Sequence, residues 1–370
     1  MKLARIHRYV AFGAGAFVVL VTLAGASLVF RDVLTAWITP SVAIAPRVQP
    51  PDSWQRTLES ARAREPRAAS FEMIRSARAD RATEVIVESP NGVRHLFIDP
   101  YDGAVVADSD TQWLPFATFF RMHKNLFAGD GGEYLVGAAG AALAFMVVSG
   151  VILWWPRRWK QALRVRWDGN RLAVSYDLHR SAGALAALFL LTNALSGFVM
   201  VFDGVTPKVV NAIAGTEAPA PIGALVPAGP MKPLDELVAA ANRALPEGRV
   251  TRVVVRDGAA LVVRKRTDRD NHANGVNRAY VDPATGAVLR AARLDQLTPG
   301  YAMFDWIYAL HTGNLFGTPY KLALALAGLV PILSLATGLI VWRSRAASKR
   351  GAARIPVRPD NPSANPHGAK

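Results

Sequence analysis

Seven histidines are the chain's best metal ligands, and four of them recur at matched spacing. A shift of 172 residues carries Ile6-His7-Arg8 onto Leu178-His179-Arg180, and a shift of 188 carries Met122-His123 onto Leu310-His311. Neutral imidazole binds iron strongly, and two imidazoles facing one another can hold one ion, or a planar cofactor, from both sides. His7 and His179 each begin an apolar run, whereas His123 and His311 each precede one, so the two pairs fall at opposite ends of the runs. Interfacial histidines copied by duplication would show the same spacing. His95, His272 and His367 have no such counterpart and read as surface or loop side chains.

Other chemistry is excluded early. The chain has no cysteine, which removes disulfides, thiolate zinc sites, iron–sulfur clusters, thiol nucleophiles and covalently attached haem. There is no H-E-x-x-H, no phosphate-binding loop and no G-x-S-x-G. Gly13-Ala14-Gly15 lies within an apolar run, without the strand and turn that a dinucleotide site needs.

The elements that must hold the histidines are four apolar runs, roughly 10–30, 134–155, 182–202 and 322–342, each with about the 20 residues needed to cross a bilayer. Of 370 residues, 51% are hydrophobic and only 19% charged. The formal charge of +15 is a topology signal. The N-terminal end, the 156–180 loop and the tail from Arg343 hold seventeen basic residues and three acidic ones. The two large regions between them hold 26 basic and 25 acidic residues. The positive-inside rule puts the short basic segments in the cytoplasm, with both termini, and the two large regions outside. A nucleic-acid partner loses its main support. Ala24-Gly25-Ala26 is a weak cleavage site after a run longer than a secretory one, so the first span is expected to remain.

The repeat extends beyond the histidines. Leu23-Ala24-Gly25 falls on Leu195-Ser196-Gly197, Ser149-Gly150 on Thr337-Gly338, and Trp113, Phe116, Phe119 and Phe120 on Tyr301, Phe304, Ile307 and Tyr308. At a shift of 183, the segment from Phe97 through Asp99-Pro100-Tyr101-Asp102-Gly103 falls on Tyr280 through Asp282-Pro283-Ala284-Thr285-Gly286, two strands joined by a tight turn in each copy. Helical stretches are expected at 53–64 and 234–245, and strands near 250–256 and 260–264. The expected fold is a membrane protein, α-helical in the bilayer and α/β outside it. Four transmembrane helices form a two-fold parallel repeat, and each half carries a small α+β domain.

These residues resemble the PepSY-associated transmembrane family. The resemblance rests on His7-Arg8, on Met122-His123-Lys124-Asn125-Leu126-Phe127 with Leu153-Trp154-Trp155-Pro156-Arg157-Arg158, on Asp177-Leu178-His179-Arg180, and on Leu310-His311. The D-P-x-x-G strands resemble the PepSY domain itself. The fourth span departs from the pattern, ending Val341-Trp342-Arg343 without the double tryptophan. The resemblance implies a transmembrane helix at 1–30, a periplasmic PepSY-like domain at 31–133 with an interfacial helix at 113–127, and a helix at 134–155. A cytoplasmic loop at 156–180 and a helix at 181–202 follow. A second periplasmic domain covers 203–320 with an interfacial helix at 300–312, then come a helix at 321–343 and a disordered cytoplasmic tail at 344–370.

Members include inner-membrane, iron-regulated proteins, some similar to ferric-siderophore reductases with two b-type haems. On that resemblance His7, His179, His123 and His311 ligate two haem irons. Arg8 and Arg180, with Arg121 and Lys124 at the other end, either pair with haem propionates or only set topology. The implied activity is transmembrane electron transfer to a periplasmic acceptor such as a ferric siderophore. A loop of 23 residues between Trp155 and His179 leaves no room for a flavin or nicotinamide domain, so the donor is a membrane quinol or a separate protein. The run Arg264-Lys265-Arg266 either attracts an anionic ferric complex or is a solvated strand edge. Two other functions fit parts of the sequence: a non-enzymatic, membrane-anchored PepSY regulator of peptidases, and a subunit of an iron-chelate transporter. The first leaves the four placed histidines unexplained, and the second lacks ionisable groups within the spans.

Overall fold

The computed structural model describes residues 2–352 except 32, 35–41, 46, 48–52, 77, 111–114, 157–158, 218, 221, 226–228 and 273, with backbone alone for 110 and 347–352. Trp113, Arg157, Arg158 and His367 lie outside the described residues. The helices are α1 (Lys2–Leu28), α2 (Trp54–Arg64), α3 (Pro115–Asn125), α4 (Gly129–Trp154), α5 (Arg171–Val201), α6 (Thr206–Ile213), α7 (Leu234–Ala244), α8 (Pro299–Thr312) and α9 (Gly317–Ala352).

Helices α1, α4, α5 and α9 are each long and apolar enough to cross a membrane, and the chain is a multi-pass membrane protein. α1 packs against α4 and α9, and α5 packs against the same two, so α1 and α5 stand diagonally across the bundle. Their interior is built from small and medium side chains, with Val18, Ala139, Leu143 and Ala194 in one cluster and Ala186, Leu190 and Ala327 in another. Such residues let helices approach closely where lipid provides no hydrophobic drive.

Two boundaries differ from expectation. Asn170 caps α5 by accepting from Ala173 N at 2.9 Å, so that helix starts at Arg171 and takes up the second part of the 156–180 loop. The segment from 344, expected to be disordered, continues α9 to Ala352; the rest of that tail lies outside the described residues.

Strands β1 (Ser70–Ile74), β2 (Thr83–Ser89), β3 (Gly92–Ile98), β4 (Val105–Asp110), β5 (Arg249–Arg256), β6 (Leu261–Arg266), β7 (Asn277–Val281) and β8 (Val288–Ala292) form one antiparallel sheet in the order β4-β3-β2-β1-β5-β6-β7-β8. The two outer regions, expected as separate α+β domains, therefore share a sheet. The physical reason lies at the seam. Four strands alone would leave β1 or β5 as an edge of unpaired N–H and C=O groups. Pairing the two edges, with Phe71 opposite Val255 and Met73 opposite Val253, satisfies both. One core then serves both halves: Leu58, Met73, Val85, Leu96 and Ile98 pack with Leu234, Leu237, Val253, Leu261 and Val281.

Helices α2 and α7 cap one another across the seam. Asp235 Oδ1 accepts from Trp54 N at 2.6 Å and its Oδ2 from Ser53 Oγ at 2.8 Å, while Gln55 Oε1 accepts from Leu234 N at 2.7 Å. The D-P-x-x-G turns are closed by their aspartates. Asp99 Oδ1 accepts from Tyr101 N and Asp282 Oδ1 from Ala284 N, both at 2.8 Å. Gly103 and Gly286 take the left-handed backbone (φ 81° and 76°) that a side chain would resist.

The run 264–266 is not an edge, because β6 lies between β5 and β7. Lys265 points the other way from its neighbours, is buried, and donates from Nζ to Leu245 O at 2.6 Å. His95, expected at the surface, is buried in β3 with Nδ1 2.7 Å from Glu84 Oε1.

Candidate functional site

The four repeated histidines come together as two pairs. The rings of His7 on α1 and His179 on α5 lie 6.5 Å apart, centre to centre, at 82° to one another. Those of His123 on α3 and His311 on α8 lie 5.9 Å apart at 41°. Two imidazoles on opposite sides of one metal ion, each bonded at about 2 Å, have ring centres roughly 6 Å apart. Both separations match that geometry.

What holds each ring decides its chemistry. His7 Nδ1 is 2.8 Å from Ser149 Oγ on α4, and that hydroxyl spends its only hydrogen on Phe145 O at 2.7 Å. His179 Nδ1 is 2.9 Å from Ser334 O and 3.3 Å from Thr337 Oγ1, whose hydrogen goes to Leu333 O. His123 Nδ1 is 2.8 Å from Val21 O on α1. His311 Nδ1 is 2.9 Å from Ser196 Oγ, which donates to Thr192 O at 2.7 Å. Every partner of Nδ1 is thus an acceptor, so Nδ1 carries the proton in all four rings. Nε2 is left with its lone pair, and it makes no hydrogen bond among the described residues. This is the tautomer a metal-ligating histidine needs, with the second nitrogen fixing its orientation.

The helices receive the rings over glycines. A Cβ on Gly25 would stand 2.8 Å from His123 Cε1, and one on Gly197 would stand 3.0 Å from His311 Cε1. At Gly150 and Gly338 the distances to His7 and His179 Cε1 are 3.5 and 3.6 Å. The reason is helical geometry. The residue four positions after a carbonyl sits beside it, so Gly25 leaves Val21 O open to His123, and Gly338 leaves Ser334 O open to His179. These glycines and hydroxyls are the dipeptides that matched in the repeat. Their spacing was visible in the sequence; their role was not, because it depends on which helix faces which.

Sharp corners follow the second pair. After His123, Leu126 and Phe127 adopt left-handed backbone (φ 50° and 61°), and after His311 Gly313 does so (φ 78°). Burial holds both imidazoles below the usual histidine range, and His311, also facing His123, is pushed down to about 3. Neutral rings are therefore the resting state at this end.

The remaining sequence candidates differ in their freedom. Arg8 is exposed and makes no hydrogen bond or ion pair among the described residues. Arg180 is engaged, donating from Nη2 to Arg164 O at 3.0 Å and lying 3.7 Å from Asp177. Lys124 pairs with Glu133 at 2.9 Å, and Arg121 lies over the Phe127 ring. His272 stacks on Tyr308 at 3.7 Å.

Among the described residues no three histidine, cysteine, aspartate or glutamate side chains converge. Each pair could offer a bound metal two nitrogens, and any further donors would have to come from elsewhere. Along α1, His7 and the Val21 carbonyl are separated by fourteen residues, so the two pairs stand ~20 Å apart through the bundle. No curated protein matches the chain. The family described as the PepSY-associated TM region matches residues 4–345, which include all four histidines, and the chain belongs to that family.

Proposed function

We propose that the chain is a di-haem b reductase of the bacterial inner membrane, passing electrons outward to a periplasmic acceptor, with a ferric siderophore the best candidate. Haem, when bound between each histidine pair, supplies a one-electron ferric/ferrous couple. The observation that carries this reading is the shared state of the four imidazoles. Each is locked at Nδ1 and open at Nε2, and each pair is spaced for one metal ion.

The protein's own work is ligation, orientation and insulation. His7 and His179 would hold the inner iron, with Ser149, Thr337 and the Ser334 carbonyl keeping those rings from turning. His123 and His311 would hold the outer iron, braced by the Val21 carbonyl and Ser196. Arg8 is free to pair with an inner propionate, whereas Arg180 already braces the 155–170 segment. With the basic segments in the cytoplasm, the sheet lies in the periplasm. The segment between α4 and α5 has no space for a nucleotide-binding domain, so a membrane quinol or a separate protein supplies the electrons. One electron reduces one ferric ion, and ferrous iron is released because it binds hard oxygen donors less tightly.

The test is haem content and the reduced-minus-oxidised spectrum of the purified protein. Two b-type haems per chain are expected, falling to one in His123→Ala and in His311→Ala. A colourless protein, or histidine variants with full haem content, would refute the proposal and favour a membrane-anchored regulator.

A further inference from the structure

Helices α2 and α7 cover one face of the sheet, and the other face carries a row of cations. Arg252 on β5 stands opposite Arg264 on β6, which stands opposite Arg278 on β7. Their sequence neighbours Val253, Val263 and Ala279 point into the core, so alternation puts all three guanidinium groups on the same face. Like charges at directly opposed positions repel, and three in a line compound that cost.

The row is under-neutralised. Glu72 pairs with Arg252 at 2.5 Å, and Arg264 donates from Nη2 to Gly275 O at 2.6 Å. Arg278 makes no hydrogen bond or ion pair among the described residues. The Nε atoms of all three are buried and have no hydrogen-bond partner among the described residues. Of the other nearby acids, Glu84 is held by His95 and sets its charge near Arg252, while Asp305 accepts from Asn271 and His272, and Asp270 from Thr267 and Val276; among the described residues none of the three bonds an arginine of the row. Burial lowers Arg264 to about 10, with Arg278 and Arg252 adding to the effect.

The row also reaches, through His272, the helix that carries His311. Burial and then Arg264, Arg278, Arg252 and Arg266 push His272 down to about 3, and its neutral ring stacks on Tyr308 at 13°. Tyr308 is one helical turn before His311 on α8, on the same side of the helix.

We propose that Arg252, Arg264 and Arg278 form a docking site for a carboxylate-bearing anion, and, resting on the reductase reading, that this anion is the ferric chelate that receives the electron. Guanidinium groups suit the task because each presents a planar fork that matches a carboxylate. The chelate would bring further negative charge to the row, on the side of the sheet that reaches α8, the helix of His311.

The test titrates the full-length, detergent-purified protein with ferric citrate at low and high salt, using a neutral ferric trihydroxamate as control. Arg278→Gln is the informative variant, since that side chain braces nothing. Ferric citrate should bind in a salt-sensitive way and weaken about tenfold in Arg278→Gln, while trihydroxamate binding, haem content and the haem spectrum stay unchanged. Unaltered citrate binding in Arg278→Gln and in the Arg264→Gln, Arg278→Gln double variant overturns the proposal. So does a loss of outer haem with citrate binding intact, which would assign the row to a haem propionate. Salt-sensitive citrate binding in a haem-free protein, lost in Arg278→Gln, would keep the anion site and reject the electron-transfer reading.

Discussion

Replacing Gly25 by alanine separates a functional approach from ordinary helix propensity. In a helix interior, glycine to alanine gains about 1 kcal/mol, because the unfolded chain loses freedom and the helix loses none. At Gly25 the new methyl stands 2.8 Å from Cε1 and 2.9 Å from Nδ1 of His123, about 1 Å inside carbon contact distance. The ring has two escapes. It can withdraw by that ångström and lose its 2.8 Å bond to Val21 O, at about 1–3 kcal/mol for a buried donor left unpaired. It can stay and push the helix away, at a similar cost for overpacking. Subtracting the helix gain from either route leaves a net loss of about 0–2 kcal/mol. Gly13 lies in the same helix with nothing within 4 Å of its Cβ position. Gly13→Ala should gain up to about 1 kcal/mol, so the two variants should differ by roughly 1–3 kcal/mol. Gly197→Ala, at 3.0 Å from His311, should resemble Gly25→Ala, and Gly150→Ala and Gly338→Ala should be milder. Thermal unfolding in detergent gives the order, and haem per chain shows whether the outer site goes first. If Gly25→Ala melts with Gly13→Ala and keeps both haems, the imidazole does not rest on that glycine and the reasoning fails.

Three further outcomes follow from the same contacts. Ser149→Ala removes the acceptor for His7 Nδ1 and should cost about 1–3 kcal/mol, with the absorption spectrum or midpoint potential of the inner haem shifting and that of the outer haem unchanged. Asp235→Ala removes the cap that α7 lends to α2 and should lower stability by about 1–2 kcal/mol, read as an earlier loss of the sheet's circular-dichroism signal while the transmembrane helices persist. The Thr285 and Ala284 amides hold the Asp282 carboxylate below its usual range. Its folded value is depressed, so the stability it adds is full above the ordinary aspartate range and is lost as pH falls through and below it. Asp282→Asn should therefore flatten the acid limb of unfolding between about pH 4 and 2 and leave neutral pH little changed.

The pairing of the histidines was legible because the repeat marks each of them twice. Ser149, Ser196, Thr337 and the four glycines stood in matched dipeptides, yet nothing local gives them a function. A serine that bonds its own helix looks the same whether or not an imidazole sits above it. The shared sheet was illegible for a related reason. β5 read as an ordinary strand and β1 was not singled out at all, and their pairing joins residues about 180 positions apart. Arg264-Lys265-Arg266 read as one cluster because the chain runs through it, whereas the pleat splits it and the neighbouring strands supply the true companions of Arg264.

The sheet's width helps to explain why the second pair of rings meets. β4 and β8 are its two edges, and each leads into one ligand helix, β4 into α3 and β8 into α8. Seven strand spacings put those edges about 34 Å apart. His123 lies eight residues into α3 and His311 twelve residues into α8, so the helices can reach inward by about 12 and 18 Å. The two reaches nearly close the gap, and the rings stand 5.9 Å apart. The β1–β5 seam thus acts at a distance on the spacing of that histidine pair, for two unpaired half-sheets could drift and carry the rings with them. Placing a charge at Met73, fully buried on the seam strand, should for that reason lower haem occupancy at His123 and His311 before it affects His7 and His179, whose spacing is set by α1 and α5 within the bundle.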